Sequence, residues 1–342
     1  MSAHITLGYY LTGWSAANPL RTAAAAALEA IAAAATDIAS RIAHGALLGE
    51  LGASIDGEAG GDAQKELDVW ANDRLIAALR NAPVEAIASE ELKKVLPLRG
   101  GAPIAIAMDP LDGSSNIDTN VSIGTIFSVL PAKGAESFAQ AGAAQLAAGY
   151  VIYGPQCVLV LTLGQGTSVF TLDPESREFR LTADRIAIKP TSDEYAINAS
   201  NYRHWSDSVR SYIDDCIAGT EGPRGADVNM RWIASLVAEC HRILMRGGVF
   251  LYPGDARKGY QDGRLRLVYE ASPIAFIIEQ AGGKALDGTA RILDLVPTGI
   301  HQRTPLIFGS ADEVDRIARY KADPNAMFER SPLFSRRGLL RA

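Results

Sequence analysis

Met108-Asp109-Pro110-Leu111-Asp112-Gly113-Ser114-Ser115-Asn116-Ile117-Asp118 follows the apolar run Ile104-Ala105-Ile106-Ala107, and so emerges from a buried strand. Asp109 and Asp112 are hard oxygen ligands near enough in sequence to serve one cation or a close pair, and Pro110 stiffens the turn between them. Gly113, Ser114 and Ser115 add small side chains and backbone N–H groups, which cradle a phosphate where the chain turns into a helix start or a nest. Carboxylates and phosphate donors on one loop imply metal-assisted phosphate chemistry. The same letters also make a plain polar turn, because Asp, Pro, Gly and Ser are turn residues for purely conformational reasons. The rest of the chain has to decide.

A chain of 342 residues is long enough for one large core or two closely packed subdomains, and a 48% hydrophobic fraction supports a globular fold. With 33 Lys and Arg against 39 Asp and Glu, the net charge is −6, and no long basic tract marks a nucleic-acid surface. The first twenty residues lack the order of a signal peptide, and no run of about 18 apolar residues suggests a membrane span. The expectation is a cytoplasmic protein with neither a nucleic-acid nor a membrane partner. Cys157, Cys216 and Cys240 are widely spaced with no C-x-x-C pair, which fits core packing better than a disulfide framework or a zinc knuckle.

Outward from the opening stretch, Leu20 to Leu47 is an alanine-rich amphipathic helix with Leu28, Ile31, Ala35, Ile38 and Ile42 at intervals of three and four. Gly49 to Gly61 reads as a mobile loop, either a lid or a surface connection. A helix from about Asp62, which can cap it, to Asn81 follows, and its spacing puts Asp68 and Asp73 on a solvated face unless it lies beside the metal-binding loop. The strand Val84 to Ala88 ends in Ser89-Glu90-Glu91; adjacent acids there suit a phosphate enzyme, or simply begin a charged loop. Strands are expected at 104–108, 121–130, 148–153, 157–163, 168–172, 178–181, 248–252 and 265–269, and helices at 206–218, 231–245, 270–281 and 312–321. This mixture is layered α/β or α+β.

The stretch Asp109 to Asp118, together with Ser89-Glu90-Glu91, Gly61-Asp62-Ala63-Gln64-Lys65-Glu66-Leu67-Asp68 and Leu265-Arg266-Leu267-Val268-Tyr269-Glu270, resembles class I fructose-1,6-bisphosphatase. Gly247 to Pro253 and Ile300-His301-Gln302-Arg303 fit the same family, and the resemblance runs from about residue 18 to 322 with its motifs in order. It implies an α+β fold, the layered α-β-α-β-α sandwich of the sugar phosphatases, with a unit at 1–195 carrying metal carboxylates and 1-phosphate loop, a unit at 196–330 carrying the sugar and 6-phosphate site, and a basic tail at 331–342. The implied metal ligands are Glu90, Asp109, the Leu111 carbonyl, Asp112 and Glu270, holding two or more Mg2+ ions, with Mn2+ as the other candidate. By the same carry-over Asp68 and Glu91 handle the proton of a metal-activated water, and Asp62 helps to order the site. Asp112, Gly113, Ser114 and Ser115 would bind the 1-phosphate. Asn201, Arg231, Trp232, Phe250, Leu251, Tyr252 and Arg264 would surround the sugar and the 6-phosphate, with Arg231 reaching in from a neighbouring subunit of a homotetramer.

Departures from the family pattern are confined to the sugar end and the effector regions. Arg264 stands where Lys is common, and Trp232 where Tyr is common; the first keeps the charge, the second offers an indole N–H in place of a hydroxyl. The AMP site of the animal enzymes is poorly matched, with Pro103, Ile104 and Pro131 where basic or phosphate-binding side chains would lie, so weak or absent AMP inhibition is expected. The resulting expectation is metal-dependent hydrolysis of a sugar bisphosphate, fructose 1,6-bisphosphate. The alternatives are a bifunctional enzyme that also takes sedoheptulose 1,7-bisphosphate, and a non-catalytic sugar-phosphate sensor.

Overall fold

The computed structural model describes residues 5–16, 18–49, 52–59 and 62–322, and the side chains of 54–64 lie outside that description. The chain opens with α1 (Leu7–Ser15), capped by Thr6, and α2 (Pro19–His44), where the Asn18 side chain accepts from the Leu20 and Arg21 N–H groups and Pro19 takes the first helical position. Gly45, at φ 52°, stops α2. The hairpin β1 (Ser54–Ala59) and β2 (Asp62–Lys65) leads into α3 (Glu66–Leu79).

Next come β3 (Val84–Ser89), β4 (Leu96–Pro97), β5 (Ile104–Asp112), β6 (Ile123–Pro131), β7 (Ala147–Tyr153), β8 (Cys157–Thr162), β9 (Thr167–Asp173) and β10 (Glu178–Ile186). They form one eight-stranded sheet in the order β10-β9-β8-β7-β6-β5-β3-β4, antiparallel except where β3 runs parallel to β5. The chain then alternates: β11 (Glu194–Ala196), α4 (Asp207–Ala218), β12 (Asn229–Met230), α5 (Leu236–Arg246), β13 (Val249–Tyr252), β14 (Leu265–Arg266), α6 (Ser272–Gln280), β15 (Lys284–Leu286), β16 (Arg303–Thr304), β17 (Leu306–Gly309) and α7 (Ala311–Ala322). A second sheet has the order β12-β11-β13-β17-β15, while β14 and β16 pair separately.

Strand periodicity divides the side chains among three helical layers. In β7, Ala147, Val151 and Tyr153 meet the core under α1, α2 and α3, while Ala148, Tyr150 and Ile152 face α5 and α6. In β17, Leu306 and Phe308 face that same middle layer and Ile307 faces α4 and α7. The order is helix, sheet, helix, sheet, helix, an α+β sandwich of the expected kind. One further interface matters for the site. β5 turns Ile104, Ile106 and Met108 toward the α-helical core and Ala105 and Ala107 the other way, where with Ala86 and Ala88 of β3 they receive Val268 and Tyr269. Alanine on that face lets the segment before α6 approach the sheet closely.

Several expected boundaries shift. Gly49 to Gly61 is not all loop, since β1 occupies part of it; Gly60 and Gly61 fall outside the described residues, as does the tail after Ala322. The helix expected from Asp62 begins at Glu66, because Asp62 to Lys65 pairs with β1 and the Lys65 N–H is taken by Asp68. The helix expected from Arg231 begins at Leu236, where Ser235 accepts the Ala238 N–H and Ala234 sits at φ 63°. The strand expected over 265–269 lasts two residues and becomes a π-helical turn at Leu267–Ala271. Pro19 to Leu48 is, contrary to expectation, long and apolar enough to cross a membrane at a mean hydropathy of 1.3, but 61% of that window is buried in the fold, where its alanines pack against the helices and the sheet.

Candidate active site

The site forms where β3 and β5 end side by side. Their parallel register places Ser89 opposite Met108, so Glu90 and Asp109 leave the sheet together. The Asp109 carboxylate accepts the Leu111 N–H at 3.0 Å, and the turn is held from behind by the Thr125 hydroxyl, which donates to the Pro110 carbonyl at 2.8 Å. Asp112 lies at the N-terminus of α5, accepting the Val237 N–H at 2.9 Å and the Ser235 hydroxyl at 3.4 Å. Glu270 comes from the π-helical turn, its carboxylate accepting the Arg266 N–H at 2.5 Å. One oxygen each of Asp109, Asp112 and Glu270 lies within 4.8 Å of the others, and all three residues are buried.

Such a cluster resists ionisation. Burial first, then the neighbouring Glu90, Asp112 and Glu270, push Asp109 well above the usual carboxylate range, and burial with Glu90 does the same to Glu270. Asp112 is pushed up to about 6 by burial, against the pull of the α5 N–H groups. Glu90 rises to about 7 through burial, against the nearby Arg266 guanidinium, 3.7 Å away. These hard oxygen donors fit Mg2+ or Mn2+, which would offset the repulsion that the carboxylates suffer alone.

Asp68 is buried, not solvated as its spacing suggested. Its Oδ2 accepts the Lys65 N–H at 2.9 Å, and burial lifts it to about 7 against the pull of that N–H and of the Ser114 hydroxyl. The exception anticipated for a helix lying beside the loop is therefore the one realised. Gly113, at φ 78°, starts the 3-10 turn Ser114–Thr119, and Ser235 leaves little room for a side chain at that glycine. Asn116 donates to the Ala234 carbonyl at 2.9 Å, and Lys65 pairs with Asp118 at 3.0 Å, so the turn is tied to both α5 and α3.

A cavity of about 400 Å3 joins Asp68, Glu90, Glu91, Asp109, Leu111, Asp112, Gly113, Ser114, Ser115 and Glu270 at one end to Trp232, Phe250, Tyr252 and Arg264 at the other. Trp232 and Phe250 stack with centroids 5.9 Å apart, and Arg264 donates to the Tyr260 hydroxyl at 2.6 Å. Three expected residues lie elsewhere. Leu251 points into the outer core with Val249, as strand alternation from Phe250 requires. Asn201 borders a small neighbouring depression, and Arg231 sits half-exposed on the surface beside Glu194, 3.5 Å away. The side chain of Asp62 falls outside the description. Sequence reasoning gave no role to Arg266 or Ser235, although Arg266 lies within a quoted motif and a serine before an apolar helical run is a cap signal.

Carboxylates this reluctant to ionise suit dications, and dications beside the donors of a tight turn suit phosphate. On this sandwich they place the protein among the metal-dependent sugar phosphatases. Residues 5–184 match the profile of the fructose-1-6-bisphosphatase N-terminal domain, and residues 188–322 that of its C-terminal domain. The chain belongs to the class 1 fructose-1,6-bisphosphatase family. It is 54% identical over its whole length to the whole of a class 1 fructose-1,6-bisphosphatase of Nitrobacter hamburgensis. With one from Xanthobacter autotrophicus it shares 53% identity over 98% of this chain and 92% of that protein. The holo form of Leishmania major fructose-1,6-bisphosphatase superposes with a TM-score of 0.87 at 36% identity, covering 94% of this chain and all of that one.

Proposed function

We infer that the chain hydrolyses D-fructose 1,6-bisphosphate to fructose 6-phosphate and inorganic phosphate. The observation that carries this reading is the single cavity with buried acids and a phosphate-cradling turn at one end and an aromatic and guanidinium wall at the other. A substrate with a phosphate at each end needs those two unlike donor sets. Gly113, Ser114 and Ser115 hold the 1-phosphate against Asp109, Asp112, Glu90 and Glu270. Arg264, Tyr252 and Trp232 face the sugar and the 6-phosphate, and Phe250 backs them. Bound magnesium, two or more ions per site with manganese as the other candidate, would polarise the phosphate, acidify the attacking water and neutralise the leaving oxygen.

Asp68, lining the cavity with a pKa pushed up to about 7 by burial, is suited to take the water's proton, with Glu91 beside it. Water supplies the new P–O bond, the bond to the C1 oxygen breaks, and that oxygen regains a proton. Arg231 is turned away from its own cavity, which supports a homotetramer in which it completes a neighbour's 6-phosphate site. Phosphate release from a panel of sugar bisphosphates, including sedoheptulose 1,7-bisphosphate, and of monophosphates tests the reading, with magnesium present and chelated. Magnesium-dependent release from the fructose bisphosphate is expected; release from monophosphates alone would overturn it.

A further inference from the structure

The Ile300-His301-Gln302-Arg303 motif has no part in the chemistry above, yet His301 joins the two halves of the acid cluster. Its Nε2 lies 2.9 Å from the Leu92 carbonyl, one residue beyond Glu91, and its Nδ1 lies 2.8 Å from the hydroxyl of Tyr269, the residue before Glu270. A carbonyl can only accept, so Nε2 carries the proton and Nδ1 accepts from Tyr269. The neutral ring this requires agrees with the lowering of the His301 pKa by burial. Tyr269 is fully buried against the alanine face of β3 and β5, and its ring meets the imidazole edge-on at 5.9 Å.

We propose that His301 is a positioning residue of the metal site, fixing the separation between the acids that follow β3 and Glu270 on the π-helical turn. Glu90 and Glu91 sit on a chain that leaves the sheet after Ser89, while Glu270 sits on a turn whose own hydrogen bonding is irregular. The two segments already meet through the Arg266 guanidinium, 3.7 Å from Glu90, and through Val268 and Tyr269 packed on β3, and a directed hydrogen-bonded tie to the backbone beyond Glu91 would fix their separation further. The imidazole supplies that tie from a third segment, 299–302, and the Leu267 N–H, donating to the Gln302 carbonyl at 2.8 Å, anchors that segment to the same turn. Partners of this kind set metal affinity without touching the ion.

The proposal rests on the metal reading, and titration calorimetry of Mg2+ into the substrate-free protein separates the two. If the wild-type protein takes up no divalent cation, the metal reading itself fails. Given wild-type binding, His301→Leu should weaken Mg2+ by about tenfold and Tyr269→Phe by about three- to fivefold, with the double variant no weaker than His301→Leu. His301→Gln, whose amide offers one acceptor and one donor at similar spacing, should recover most of the affinity. At saturating Mg2+ the kcat of the folded variants should stay within about threefold of wild type. Wild-type Mg2+ affinity in folded His301→Leu, or additive losses in the double variant, would overturn the tie. Should His301→Leu not fold, Tyr269→Phe decides alone, and wild-type affinity there overturns it.

Discussion

The two ends of the cavity are built on opposite principles. The acid end is closed within one chain: Asp109, Asp112 and Glu270 each hang from a tight turn or a helix N-terminus and accept a backbone N–H from within four residues or from α5. The sugar end is open and held by side chains, with Trp232 and Tyr252 stacked about Phe250, Arg264 on Tyr260, and Arg231 pointing out onto Glu194. Charge that must be ready for the transition state is fixed in advance, whereas charge that only grips the far end of a substrate can be assembled from flexible arms.

The sharpest way to break that contrast is to neutralise the rigid end. Asp109→Asn, Asp112→Asn and Glu270→Gln should each lower kcat by about 10³-fold or more, the scale on which single charge stabilisers and acid–base groups act. Each removes one of several buried, mutually repelling acids, so the metal-free variants should melt no lower than metal-free wild type. Turnover close to wild type in all three would remove the metal assignment. Lower melting of all three metal-free variants would show that the acids are held for stability instead.

What was legible in the sequence follows the same division. Asp109, Asp112, Glu90 and Glu270 are fixed to backbone features that leave a mark in sequence: an apolar run, a proline turn, a strand end. Local pattern locates Asp109 and Asp112 and a mixed layered fold, whereas the ligand roles of Glu90 and Glu270 and the five-layer sandwich come from the resemblance to class I fructose-1,6-bisphosphatase. Spacing alone puts Asp68 on a solvated face because it describes α3 by itself, whereas Ser114 from the loop after β5 meets it in the fold; the resemblance places it in the site. The π-helical turn leaves no mark because Leu267 to Tyr269 is apolar in either conformation, and the contacts that hold it, Glu270 on the Arg266 N–H and the Leu267 N–H on Gln302, form only in the fold. The resemblance carries Leu251 along with its motif neighbours, whereas strand alternation sends it to the opposite face.

A moderate effect should come from the open end. Arg264→Ala removes a charged donor from the cavity wall and should raise KM for the bisphosphate by about 10- to 100-fold, with kcat changed far less. Arg231→Ala should act in the same direction, but through a different subunit. Mixing it with Asp109→Asn chains should recover activity, because hybrid assemblies contain sites with an intact acid end and a neighbour's intact Arg231. No recovery in hybrids that demonstrably exchange subunits would place Arg231 in its own site, and make the sugar end as self-contained as the acid end.

The smallest effect is one of proton linkage, and it distinguishes the ends without touching a residue. Asp68, Glu90 and Asp112 have carboxyl groups raised from about 4 to about 7, 7 and 6 by burial. Between those limits the unfolded chain has released protons that the native, metal-free protein still holds, so stability falls as pH rises from about 4 through 7. Bound Mg2+ favours the ionised acids and opposes that loss. The rise in Tm on adding Mg2+ should therefore grow by a few degrees between pH 5.5 and pH 8, measured by calorimetry on chelator-treated protein. Arg264→Ala should leave this growth unchanged, because it removes none of the raised acids, whereas Asp112→Asn should diminish it. An Mg2+ effect on Tm that is flat across this range would mean that the acids are already ionised without metal, and that the rigid end is held open by something other than their reluctance to charge.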